Sequence, residues 1–140
     1  MSANPLARHK TMENVQLAIQ AAEKILPGQA APADAEDPRW QAIIEVSEFL
    51  ETDPAPIWSF VQRWGSYPDD DLSDAIATCV LEHLLELHFD AYFSKVVEAA
   101  HSNPQFARTV EMCAAFGLTE EPGNFERFEK LKDDLRGRAS

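Results

Sequence analysis

Apolar residues recur every three or four positions along most of the chain. No stretch alternates with period two for more than a few residues. That pattern predicts helices and no sheet. Met12, Val15, Ala18, Ile19, Ala22, Ile25 and Leu26 form the first stripe, with Thr11 as its expected N-cap and Pro27-Gly28 as its stop. Residues 1–10 read as a frayed start, and residues 27–36, rich in Ala, Pro and Asp, as a loop. Asp37-Pro38, Asp53-Pro54 and Asn103-Pro104 repeat one start signal. The carboxylate or amide accepts a free backbone N–H, and Pro occupies the first helical position, where no donor is needed.

Behind those starts lie further stripes. Trp40, Ile43, Ile44, Phe49 and Leu50 line 38–51, with Glu45, Glu48 and Glu51 opposite. Ile57, Trp58, Phe60, Val61 and Trp64 line the next helix, which ends at Gly65. The link between these two is short enough to force an antiparallel hairpin or a sharp corner. Phe106, Val110 and Cys113 line a helix that Gly117 ends. Phe125, Phe128, Leu131 and Leu135 line the last.

The stretch Asp69 to Ala100 lies within the longest run without Gly or Pro and has strong helix formers throughout. On a helical wheel starting at Leu72, Ile76, Val80, Leu81, Leu84, Leu85 and Leu87 fill an arc of about 180°, wider than a surface helix shows. This places the run at the centre of the domain. Asp90 is the expected cap of a break, after which Tyr92, Phe93, Val96, Val97 and Ala100 continue the pattern. The whole, 1–140, reads as one all-α domain of six or seven helices stacked as antiparallel pairs. The pairs are 38–51 with 54–64, 71–88 with 90–101, and 104–116 with 123–136, starting about 33 residues apart.

Within residues 69–81 the run Asp-Asp-Asp-Leu-Ser-Asp-Ala-Ile-Ala-Thr-Cys-Val-Leu resembles the first helix of a HEAT-type repeat. An acidic turn there precedes an Ala-rich apolar run. Ser73 and Asp74 stand where that motif usually has Arg. The resemblance implies an α-solenoid that binds a partner along one face; a compact helical bundle explains the pattern almost as well.

Composition adds electrostatics. The net charge is −12 over 140 residues. Residues 34–74 hold eleven acidic groups against Arg39 and Arg63. Such a field repels nucleic acid and anionic membrane and speeds encounter with basic partners. Cys79 and Cys113 are the only cysteines. With no apolar run behind Arg8-His9-Lys10, the expectation is a cytoplasmic protein with two reduced thiols.

Two constellations carry candidate chemistry. Cys79, Glu82, His83 and Glu86 fall on one helical face and are all metal-ligand types. Glu98 and His101 add a Glu-x-x-His spacing. A small core Cys beside solvated Glu and a marginal His explains the first group without a metal. His88 falls inside the apolar arc and reads as a hydrogen-bonded core histidine. The second constellation is an aromatic centre with an acidic rim: Trp58, Arg63, Trp64 and Tyr67 with Asp53, Asp69, Asp70, Asp71 and Asp74. Trp, Tyr and Arg dominate binding hot spots. Alternatively, each Trp, about 120° from the other, is buried in its own layer.

The leading expectation is therefore a non-catalytic recognition module, of bacterial immunity or antitoxin type, that binds a basic protein and needs no cofactor. An acidic adaptor or nucleic-acid mimic is the alternative. A metal-dependent enzyme built on Glu82, His83, Glu86, Glu98 and His101 is a further one. Homo-oligomers are compatible with a first helix on a loop tether.

Overall fold

The computed structural model describes residues 14–29, 31 and 35–139. The expected frayed start at 1–10, Thr11, Met12 and part of the 27–36 loop lie outside the described residues. The elements are α1 (Val15–Ile25), α2 (Pro38–Ser47), α3 (Pro54–Gly65), α4 (Asp70–Ile76), a π-helical turn (Ala77–Leu81), α5 (Glu82–Ser102), α6 (Pro104–Glu111), a 3-10 turn (Gly117–Glu120) and α7 (Pro122–Ala139). The all-α expectation holds, and no strand occurs among the described residues.

The Asp/Asn-Pro starts place three helices correctly. Asp37 accepts from Arg39 N, and Asn103 Oδ1 accepts from Phe106 N. Asp53 precedes α3 without capping it; its carboxylate takes the Thr52 hydroxyl instead. Asn14 caps α1 through Leu17 N. α2 and α3 meet at a corner, each packing on α1 and on the Asp70–Leu81 segment. α6 stops at Glu111, earlier than Gly117, and an irregular strap of 113–116 leads into the 3-10 turn.

The run from α4 through α5 is the core of the molecule. It touches α2, α3, α6, α7 and the 3-10 turn. Ile76, Ala77, Val80, Leu81, Leu84 and Phe89 have no solvent exposure. Each such large side chain contributes about 1.5–3 kcal/mol by leaving water. The break expected at Asp90 occurs two residues earlier. His88 leaves helical geometry (φ −138°, ψ 41°) and its Nε2 donates to the Leu50 carbonyl at 2.8 Å, tying the kink to the α2–α3 corner.

The π turn corrects the expected wheel. Its i→i+5 bonding holds one residue more than an α turn, so the side chains from Glu82 as far as the His88 kink are rotated back by about 100°. Leu87, expected inside the apolar arc, is exposed. Glu82, on the expected polar side, is buried, and just past the His88 kink Phe89 enters the core. Ile44 and Phe125, also expected on buried stripes, are exposed.

Gly117 fixes the end of the strap. Its φ is +52°, and a Cβ there would lie 2.5 Å from Glu86 Cγ and 2.9 Å from the Glu86 carbonyl. Gly117→Ala is expected to lower stability by about 1–3 kcal/mol in urea titration, through left-handed strain and this close approach. Gly123, in the first turn of α7, has open space around its Cβ position. Gly123→Ala is expected to raise stability by about 0.5 kcal/mol. Equal effects at the two sites would refute this account of the strap.

Candidate functional site

Arg39 sits in the first turn of α2 and is only 3% exposed. Its Nε and NH2 donate to Asp37 at 3.0–3.3 Å, and NH1 donates to the Pro27 carbonyl at 3.0 Å. NH2 also bonds Asp71, and NH1 lies 3.8 Å from Asp69. One guanidinium thus joins the end of α1, the start of α2 and the start of α4. Desolvating it is costly, and its five donors need acceptors. The Arg39 hydrogen bond lowers the Asp37 pKa against the opposing pull of burial, and Asp37 in turn raises that of Arg39.

Asp69 also caps α4, accepting from Asp71 N and Leu72 N. Asp70 turns the other way. It accepts from Arg108 Nε at 3.0 Å and Gln105 Nε2 at 3.0 Å, which lowers its pKa, Arg108 first. Gln105 also donates to the hydroxyl of buried Ser73 at 2.8 Å. Asp74 is half-buried one turn on, and Asp53 is exposed at the α2–α3 corner.

The aromatic residues divide between two packings. Trp58 is half-buried, with Tyr92 at 6.1 Å and Phe106 edge-on at 6.0 Å. Trp64 is buried on the other flank, its Nε1 donating to Glu23 of α1 at 3.1 Å. Arg63 lies over the Trp64 ring at 5.1 Å and reaches the same Glu23 carboxylate at 3.5 Å. Tyr67 packs against Trp64 at 5.7 Å and stays 38% exposed. The structure therefore brings Arg63, Trp64, Tyr67 and Asp69–Asp71 to one corner, between α3 and α4. It places Trp58, half-buried, against Tyr92 and Phe106, and Asp53 at the other end of α3.

On the Cys79–Glu86 face Glu82, His83 and Glu86 lie together, with His83 Nε2 3.6 Å from Glu82 Oε2. Glu82 is buried and accepts from Ala114 N at 2.8 Å. His83 Nδ1 lies 2.7 Å from Glu86 Oε1, and its ring stacks on Phe116 at 5.6 Å. Cys79 is half-buried, and burial raises its pKa. Cys113 is wholly buried, its Sγ 3.7 Å from the Thr109 carbonyl, and burial pushes its thiol far up. Among the described residues no group of three or more His, Cys, Asp and Glu is arranged to hold a metal. His101 lines a hollow of about 220 Å³ with Ala100, Pro104, Ala107, Arg108, Glu111 and Leu135. That volume is smaller than a usual small-molecule site.

Sequence reasoning missed Arg39, Gln105 and Arg108. Arg39 carried one signal: it is the single cation among the carboxylates from Asp34 to Asp53. Gln105 and Arg108 carried none, because their partners lie more than thirty positions away. Compared with known proteins, the chain matches no family model, no curated protein and no solved structure. No helix among the described residues is long and apolar enough to cross a membrane.

Arg39→Met is expected to cost about 2–3 kcal/mol, because it leaves Asp37 and Asp71 facing each other without a cation. The acid dependence has a definite sign. Asp37 and Asp70 have lowered folded-state pKa values, so the unfolded chain takes up protons first as pH falls. The stability they add is complete above the ordinary Asp value of 3.8 and is lost as pH drops through the folded values. Acid titration of Arg39→Met should therefore show a shallower decline below about pH 4 than the parent. The thiols give a separate check. With a disulfide reagent at about pH 8, Cys113 should react on the order of a hundredfold slower than in denaturant, and Cys79 between the two. Rapid reaction of Cys113 in the folded protein would contradict its placement.

Proposed function

We propose that the chain is a non-catalytic recognition module that binds a basic protein, in the manner of a bacterial immunity or antitoxin inhibitor acting in the cytoplasm. One observation carries the reading. At the α3–α4 corner an exposed Tyr67 ring rests on buried Trp64 beside Arg63, and the half-exposed carboxylates of Asp70 and Asp71, paired with Arg108 and Arg39, follow at the start of α4. A supported aromatic presents contact area at little cost in side-chain freedom, and aromatic and Arg side chains are where binding energy concentrates.

The electrostatics support a basic partner with one adjustment. Arg39 and Arg108 already neutralise part of the Asp69–Asp71 charge. Carboxylates still outnumber guanidiniums there, and the whole chain keeps its charge of −12. This charge serves encounter, while Tyr67 and Trp64 serve holding.

With a partner isolated by affinity capture, raising salt from about 50 to 300 mM should slow association at least tenfold. Tyr67→Ala should weaken binding roughly tenfold or more, mainly by faster dissociation. Asp70→Asn should slow association and leave dissociation nearly unchanged. A partner whose binding ignores both salt and Tyr67 would remove the corner from consideration.

A further inference from the structure

A second face of the molecule is built to be exposed and has no assigned use. Phe116 is 39% exposed and Leu87 is 41% exposed. They belong to one patch. The Phe116 ring stacks on His83 at 5.6 Å and 19°, and Leu87 follows His83 by four residues on the same helical face of α5.

The strap that carries Phe116 is held at both ends. Ala114 N donates to buried Glu82, and Lys132 Nζ donates to the Cys113 carbonyl at 2.8 Å. Gly117 is pressed against Glu86, Thr119 N donates to the Phe116 carbonyl at 3.0 Å, and Asn124 donates to the Leu118 carbonyl at 3.0 Å. An apolar ring on a loose loop could fold inward. This ring is fixed outward by its neighbours, and an exposed fixed aromatic is preorganised for contact.

The charge around the patch selects its occupant. Glu82 and Glu86 flank His83, and the strap continues into exposed Glu120 and Glu121. The Lys132 ammonium reaches the strap at its Cys113 end and keeps its single charge, against the carboxylates of Glu82, Glu86, Glu120 and Glu121. A second copy would bring like charges together across the contact, which is unfavourable. We propose that the face formed by His83, Leu87 and Phe116, bordered by Glu86 and Glu120, is a docking surface for a basic amphipathic helix of a partner protein. Its apolar side covers Leu87 and Phe116, and its Lys or Arg side chains meet the glutamates. This rests on the reading of the chain as a recognition module and adds a second contact to the Tyr67 corner.

The test titrates the full chain with a Leu/Lys amphipathic peptide of about fourteen residues, four helical turns, and follows backbone amide shifts by NMR. The expected shifts cluster at 82–87 and 114–118. Phe116→Ser and Leu87→Ser, both at exposed positions, should each weaken the peptide about tenfold, with unchanged shifts elsewhere in the spectrum showing that the fold persists. Shifts confined to residues 64–71 would overturn this face while leaving the recognition reading standing. No shifts anywhere would overturn this face, and the recognition reading would stand or fall on the salt and Tyr67→Ala measurements. Self-association of the chain that Leu87→Ser abolishes would overturn the basic partner in favour of a second copy.

Discussion

The guanidinium of Arg39 is the interaction on which the assembly of the N-terminal half depends. α1, α2 and α4 are distant along the chain, and little covalent restraint sets their relative positions. One buried cation gathers an end of each: the Pro27 carbonyl after α1, Asp37 before α2, and Asp69 and Asp71 at the start of α4. Such a node contributes little net stability over an apolar replacement of all its members together, because desolvation offsets the attraction. What it contributes is a shared arrangement, since its Nε, NH1 and NH2 groups take hydrogen-bond acceptors from all three ends at once. The same node explains why so acidic a segment is tolerated. Part of its charge is internal structure and part is left facing solvent.

The charge segregation seen along the chain therefore has two physical meanings, separated only in three dimensions. Asp37, Asp69 and Asp71 surround a cation of their own. Asp70 bonds Arg108 and Gln105, which hold α6 against α4. Farther along, Glu82 turns inward to hold a strap by one backbone N–H. Acidic residues that look alike in sequence are thus caps, latches or solvated surface according to what the fold brings opposite them.

How far the sequence carries the reader can be followed through particular residues. The Asp-Pro and Asn-Pro starts, the apolar stripes and the central role of 69–100 were legible because they are local. A cap, a proline and a 3.6-residue period act within one or two turns. The candidate corner was legible in part. Tyr67 and the aspartates lie together, but the destinations of Trp58 and Trp64 needed the positions of α1, α5 and α6. The pairing of Asp70 with Arg108 was beyond reach, since 38 residues separate them. The failure at Leu87 and Glu82 has a different cause. An ideal wheel assumes constant pitch, and no single residue among Ala77–Leu81 announces a wider turn.

That wider turn makes chain length a determinant of surface chemistry. Side chains after Leu81 point where they do because one additional residue was accommodated upstream. Losing any one residue of the turn would restore ordinary helical pitch and rotate α5 as far as its kink. Leu87 would swing toward the interior, Glu82 toward water, and Phe116 would lose its histidine support. The exposed face beside the strap is in this sense encoded by a count rather than by the identity of the residues that form it.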